Sequence, residues 1–89
     1  MAKNQSMISG TVRDPKGQVV VDARVYFVDG PVSLPEVAAL TDGGGKFSLT
    51  APAVGRYQIG CTADGFAPST ITVQVTGVQN VQVEIRLKS

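Results

Sequence analysis

The segment VQVEIRLK, close to the C-terminus, leaves its backbone almost no choice. Val81, Val83, Ile85 and Leu87 alternate one for one with Gln82, Glu84, Arg86 and Lys88. A strand sends successive side chains to opposite faces, whereas a helix would wind the four apolar ones around its axis. The segment STITVQVT repeats the pattern, with Ile71, Val73 and Val75 on one face and Thr70, Thr72 and Gln74 on the other. Both are strands with one dry and one wet side.

The same rhythm runs upstream. Ile8, Gly10 and Val12 share a face, as do Ala23, Val25 and Phe27. Phe47, Leu49 and Ala51 follow, then Tyr57, Ile59, Cys61 and Ala63. Branched and aromatic side chains dominate these sets, as a pleated, half-buried surface favours. Glycine and proline punctuate the chain at short intervals, which predicts an all-β sandwich or barrel. The expected core comprises Val12, Val25, Phe27, Phe47, Leu49, Tyr57, Ile59, Cys61, Phe66, Ile71, Val73, Val83 and Ile85. At 89 residues the chain is expected to be a single domain over residues 7–89, with residues 1–6 as a disordered tail.

The connections have their own chemistry. Asp14-Pro15-Lys16-Gly17 fits a type I turn, with Asp first, Pro second and Gly fourth. Asp64-Gly65 joins two alternating segments, and Asp29-Gly30-Pro31 opens a longer loop. In SLPEVAALT, Ser33 and Glu36 could form a capping box around one helical turn. The pattern favours instead a short edge strand, in which Val37, Ala39 and Thr41 pair across a hairpin with Lys46 to Thr50.

That hairpin tip, TDGGGK, superficially resembles a phosphate cradle. A G-x-x-x-x-G-K-[ST] loop needs glycine five residues before Gly45, where Leu40 stands, and Ser or Thr where Phe47 stands. The residues after the glycines have a strand's period, so no helix N-terminus is available to hold a phosphate. The glycines make a turn.

Composition removes other functions. There is no histidine, hence no His-based nucleophile activation, general base or metal ligand. Cys61 is the sole cysteine and has core parity, so it reads as a buried structural thiol. A net charge of +1 with scattered charges gives no basic stripe for nucleic acid and no polybasic patch for a membrane. No apolar run is long enough to insert into a bilayer, and MAKNQS lacks the pattern of a signal peptide. The abrupt ending after a strand-like segment suggests a piece of a larger protein. The five aspartates form no D-x-[DN]-x-[DN]-G loop and read as turn formers, with no metal or other cofactor expected.

Two surfaces stand out as candidate interaction sites. Gln18 to Val21 is a β-prone run, and as an edge strand it would offer Val19, Val20 and Val21 with unpaired backbone groups to another chain. Tyr26 is outward on its strand near Arg24, an aromatic beside a cation. Tyr57 and Phe66 are weaker platforms, the first by its core parity and the second as a turn anchor.

The motifs together resemble the carboxypeptidase regulatory-like domain, a small sandwich of the transthyretin (prealbumin) type. Gly10-Thr11-Val12-Arg13-Asp14 with Gly17, then Ala23-Arg24-Val25, matches that family's opening. Thr41-Asp42-Gly43-Gly44-Gly45-Lys46-Phe47-Ser48-Leu49 matches its T-D-x-x-G-x-F-x-L hairpin. Gly55-Arg56-Tyr57-Gln58-Ile59 and Ala63-Asp64-Gly65-Phe66 match its G-x-Y-x-L strand and the turn beyond. Asp22 departs from the pattern, standing where glycine commonly precedes the alanine, and Gly44 stands where many members have Asp. The resemblance implies a seven-stranded, Greek-key-type, prealbumin-like β-sandwich without catalytic residues. It also implies an accessory module of a secreted or cell-surface protein, supporting or docking a neighbouring domain or protein partner. Starch-binding-like relatives of the fold offer carbohydrate as the alternative ligand. The enzymes of this fold type, hydroxyisourate hydrolases and intradiol dioxygenases, use histidines that this chain lacks.

Overall fold

A computed structural model describes residues 6–34, 38–77 and 80–88. Seven strands follow in chain order: β1 (Ser6–Arg13), β2 (Arg24–Asp29), β3 (Ala39–Leu40), β4 (Lys46–Ala51), β5 (Gly55–Thr62), β6 (Ser69–Val75) and β7 (Asn80–Arg86). They form two sheets, β4-β1-β7 and β3-β2-β5-β6. β1 lies in the middle of the smaller sheet, antiparallel to β4 and parallel to β7, so the first and last strands are bonded side by side. The chain changes sheet after β1, β3, β4 and β6, and these crossings wrap the sheets around one interior.

That interior is built from the inward sets read in the sequence. Ile8, Val12, Ala23, Val25, Phe47, Leu49, Ala51, Tyr57, Ile59, Cys61, Val73, Val75, Ile85 and Leu87 are all buried. Phe27, Phe66, Ile71 and Val83 pack against them while keeping some exposure. Tyr57 is the largest fully buried side chain, and its ring meets Phe27 at 5.3 Å between centroids. Its hydroxyl donates to the Ala53 carbonyl at 2.6 Å and accepts the Ala53 N–H at 3.1 Å, so its burial leaves no polar atom unpaired.

Asp14 and Asp42 build the same loop twice. In each, the Asp carbonyl accepts the N–H three residues on, from Gly17 at 3.0 Å and Gly45 at 2.9 Å. In each, the carboxylate Oδ1 accepts two further N–H groups, from Lys16 and Gln18 in the first loop and from Gly44 and Lys46 in the second. Gly17 and Gly45 both have positive φ, 86° and 72°, a conformation open to glycine. The N–H bonds from Lys46 and Gly44 hold the Asp42 carboxyl below the usual carboxylate range.

Of the three glycines in TDGGGK, only Gly45 is indispensable. A Cβ there would lie 2.7 Å from Val19 Cβ and 3.0 Å from the Val12 carbonyl oxygen, whereas at Gly43 nothing lies within 4 Å. Gly45→Ala is expected to cost the left-handed penalty of about 1–2 kcal/mol plus the collision with Val19. Gly43→Ala should stay within about 0.5 kcal/mol of wild type when both variants are compared by thermal melting.

Three expectations are corrected. Gln18 to Val21 is not an edge strand: Val19 makes one isolated bridge to Arg13, and Val20 is buried. The Val20 N–H donates to the Val12 carbonyl at 2.9 Å and its carbonyl accepts the Thr41 hydroxyl at 2.6 Å, so Val20 presents no free backbone and no docking side chain. The short strand before the glycines exists, but Ala39 and Leu40 pair with Val25 and Arg24 of β2, not with β4. Thr41 enforces this. Buried at 2% exposure, it accepts the Ala23 N–H on its hydroxyl at 2.9 Å and donates its own N–H to the Ala23 carbonyl at 3.0 Å. That pins the segment to the larger sheet before the tip reverses into the smaller one. Ser6, assigned by its sequence to the tail, opens β1 and is buried. Residues 1–5, Pro35 and Glu36 of the alternative helical turn, and Val37 of the expected edge strand lie outside the described residues.

Asp22 also changes meaning. It adopts φ 62°, left-handed, in the turn leading to Ala23. A glycine, which the resembled pattern carries here, would adopt this backbone freely, and Asp is among the side chains that tolerate the geometry.

Candidate interaction face

The two outer faces of the sandwich differ in chemistry. Over the smaller sheet, Glu84 lies between two arginines, 3.2 Å from Arg13 Nε and 3.5 Å from Arg86 Nη2. Ser9, Thr11, Ser48 and Gln82 surround this group in register, and Lys46, the partner of Thr11, adds a third cation, giving a polar surface with little exposed apolar area around its ion-pair group.

The larger sheet presents something else. Arg24, Tyr26 and Val28 project outward from β2, and Leu40 faces the same way because it is the register partner of Arg24. Opposite Tyr26 on β5 stands Gly60. A Cβ at Gly60 would meet Tyr26 Cε2 at 2.8 Å, Tyr26 Cζ at 2.9 Å and Val28 Cγ2 at 3.0 Å. The missing side chain is thus the space in which the tyrosine ring and Val28 lie against the sheet. Tyr26 is half-buried by this, while Val28 and Leu40 remain 52% and 59% exposed.

Arg24 is exposed on this face, and Arg56 is exposed one row beyond Gln58 on β5. Among the described residues neither takes part in an ion pair or a side-chain hydrogen bond. Asp29, the acid at the margin of the face, accepts the N–H of Gly30 with its carboxylate at 2.9 Å. The face combines an aromatic ring, two exposed aliphatic side chains and two unanswered guanidinium groups.

Of the residues singled out in the sequence, Arg24 and Tyr26 come together here. Val21, 49% exposed, lies at the margin, in the turn whose Asp22 N–H donates to the Thr41 carbonyl. Val19 is 40% exposed but sits over Gly45 at the hairpin tip, and Val20 is inside. Val28, Leu40, Arg56 and Gly60 were missed. Val28 and Arg56 were visible in the outward parity of their strands, and a glycine inside a strand is itself a sign of close approach. Leu40 became legible only once its partner strand was known.

Other candidates are structural. Cys61 is buried, and loss of hydration pushes its thiol up to about 11, far from a reactive thiolate at neutral pH. Tyr57 is sealed in the core, and Phe66 anchors the turn closed by its N–H to the Ala63 carbonyl. Phe66 also lines a 270 Å³ cleft with Asp14, Pro15, Lys16 and Gln18, beside a 420 Å³ cleft between Pro15 and Arg86–Lys88. The Asp14 carboxylate beside these clefts is consumed by its own turn.

A family model of the carboxypeptidase regulatory-like domain matches residues 7–88. The chain belongs to that family. Its members are generally non-catalytic. No curated protein matches the sequence. Among solved structures, BcpA, the major pilin subunit of Bacillus cereus, is similar at 13% identity and a TM-score of 0.73, over 93% of this chain and 28% of that one. A chain of a type II cohesin–X-dockerin complex from Acetivibrio cellulolyticus is similar at 19% identity and a TM-score of 0.71, over 92% of this chain and 56% of the other. Chlorocatechol 1,2-dioxygenase from Pseudomonas putida is similar at 13% identity and a TM-score of 0.73, over 100% of this domain and 62% of the enzyme. The domain spans less than two thirds of each of these chains, and at such identities the likeness is one of fold.

Proposed function

We propose that this domain is a non-catalytic accessory module that docks through the outer face of β3-β2-β5-β6 onto a carboxylate-bearing protein surface, on a neighbouring domain or a partner. The observation that carries this reading is that Arg24 and Arg56, both without an acidic partner among the described residues, share a face with the Tyr26–Val28–Leu40 apolar patch. Tyrosine and arginine are enriched among residues that dominate binding energy, and unanswered charge selects partners of opposite sign. Likeness to a pilin subunit and to a chain of a cohesin–X-dockerin complex supports an extracytoplasmic or cell-surface parent. The non-catalytic reading rests on the histidine-free sequence and on the use of Asp14, Asp42 and Tyr57 in structural hydrogen bonds.

Selection from a random-peptide display library tests it. Acidic sequences should be enriched, amide shifts on titration should cluster at residues 24–28, 40 and 56–60, and Arg24→Glu or Tyr26→Ala should weaken binding about tenfold or more. A glycan array is run in parallel because the aromatic ring shares this face with the polar side chains of Gln58 and Thr70, a combination that also suits a sugar. Glycan hits abolished by Tyr26→Ala, without acidic peptides, would replace the protein reading with the carbohydrate one. Peptide binding indifferent to both substitutions would remove this face altogether.

A further inference from the structure

The sandwich guards its sheet edges unequally. β3 is two residues long, β4 opens with Lys46 beside its hairpin, and β7 carries Glu84 and Arg86. β6, seven residues reading STITVQV, has no charge, no proline and no glycine. Its register with β5 runs unbroken from Gly55↔Val75 to Cys61↔Ser69, whereas β2 and β5 are interrupted by a bulge. Among the described residues β6 pairs with β5 alone, which leaves its outer backbone groups facing away from the sheet. Short strands, charges, prolines and bulges are the means by which proteins blunt such edges, and β6 uses none of them.

The core is also incompletely closed along this flank. On the opposite flank the inward side chains of β4, Phe47, Leu49 and Ala51, are buried. Here Ile71 of β6 and Val81 and Val83 of β7 face inward yet remain partly exposed. An unpaired backbone and half-covered apolar side chains occur together.

We infer that β6 is a self-association edge, pairing antiparallel with β6 of a second copy of this chain about a two-fold axis at Thr72. This register overlaps the whole strand: Ser69 faces Val75, Thr70 faces Gln74, Ile71 faces Val73, and Thr72 faces itself. The sequence suits it. Opposed residues in an antiparallel pair share a face, so Ile71 and Val73 meet on the inner side while Thr70, Thr72 and Gln74 meet on the outer. No like charges oppose one another, and each copy covers the other's Ile71. Two four-stranded sheets become one of eight strands, an isologous, closed arrangement. Both outer faces then point the same way, giving a bivalent surface, although the pairing does not depend on what that face binds.

Sedimentation of the full chain from about 1 µM to about 1 mM tests the inference. A reversible monomer–dimer equilibrium is expected. Thr72→Lys, at an exposed position, places an ammonium group against its own copy and should give a monomer with an unchanged circular dichroism spectrum. Thr72→Cys in a Cys61→Ser background should be cross-linked into dimers by a short bismaleimide, and Asp64→Cys in the same background should not. A chain that stays monomeric throughout that range, or a dimer that Thr72→Lys leaves intact, overturns the proposal.

Discussion

Gly10→Ala is expected to lose most of the stability of the domain, although it adds a single methyl group. Gly10 sits in the middle of β1 and is paired on both sides, with Phe47 of β4 and Val83 of β7. A Cβ at this position would lie 2.1 Å from the Val83 carbonyl oxygen and 2.9 Å from Val83 Cγ2. The first of these is backbone and cannot rotate away. β7 would have to withdraw from β1, loosening the parallel ladder from Met7↔Asn80 to Arg13↔Arg86 that joins the two ends of the chain. Overpacking alone costs about 1–3 kcal/mol, and each ladder hydrogen bond lost adds about 0.5–1.5 kcal/mol. A total above about 3 kcal/mol is a large share of the roughly 5–15 kcal/mol that holds a small domain together. The melting temperature should fall by at least about 12 °C. A variant that melts within a few degrees of wild type would show that β1 and β7 do not approach as described.

The role of Gly10 marks where sequence reading stops. Its inward parity was legible because parity is local: it needs only the two-residue rhythm around Ile8 and Val12. What fills the space above it is a carbonyl 73 positions away in the chain, and no local pattern reports that. The same division explains the other outcomes. Strand identity and inward sets could be read from alternation in β1, β4, β5, β6 and β7 because one face of each is committed to the core. The partner of Ala39–Leu40 could not, because two residues carry almost no pattern and the decision lies in Thr41, whose hydroxyl bonds to the Val20 carbonyl and the Ala23 N–H. Val20 was misplaced for a related reason. An apolar run reads as a strand, yet here it is a loop tucked under Gly45, its N–H already spent on Val12. In the candidate face, Arg24 and Tyr26 were found by outward parity, while the bed that holds the ring is a glycine on another strand.

Phe47→Ala tests the core from the other side of the same register pair. Phe47 is 5% exposed and stands opposite Gly10, so the inward position beside it carries no side chain that could swing into the space a truncation leaves. Sites that collapse poorly lie at the upper end of the cost range, and for Phe→Ala in a core that range is about 3–5 kcal/mol. Ser48→Ala, on the exposed face of the same strand, should fall within about 0.5 kcal/mol of wild type and controls for any change in strand propensity. In urea, the Phe47→Ala midpoint should drop steeply with little change in the slope of the transition. The substitution removes packing from the native state and leaves the extent of surface exposed on unfolding nearly the same. A Phe47→Ala midpoint no lower than that of Ser48→Ala would mean that the side chain does not reside in the core. The inward set on β4, and with it the stacking of the two sheets, would then have to be reassigned.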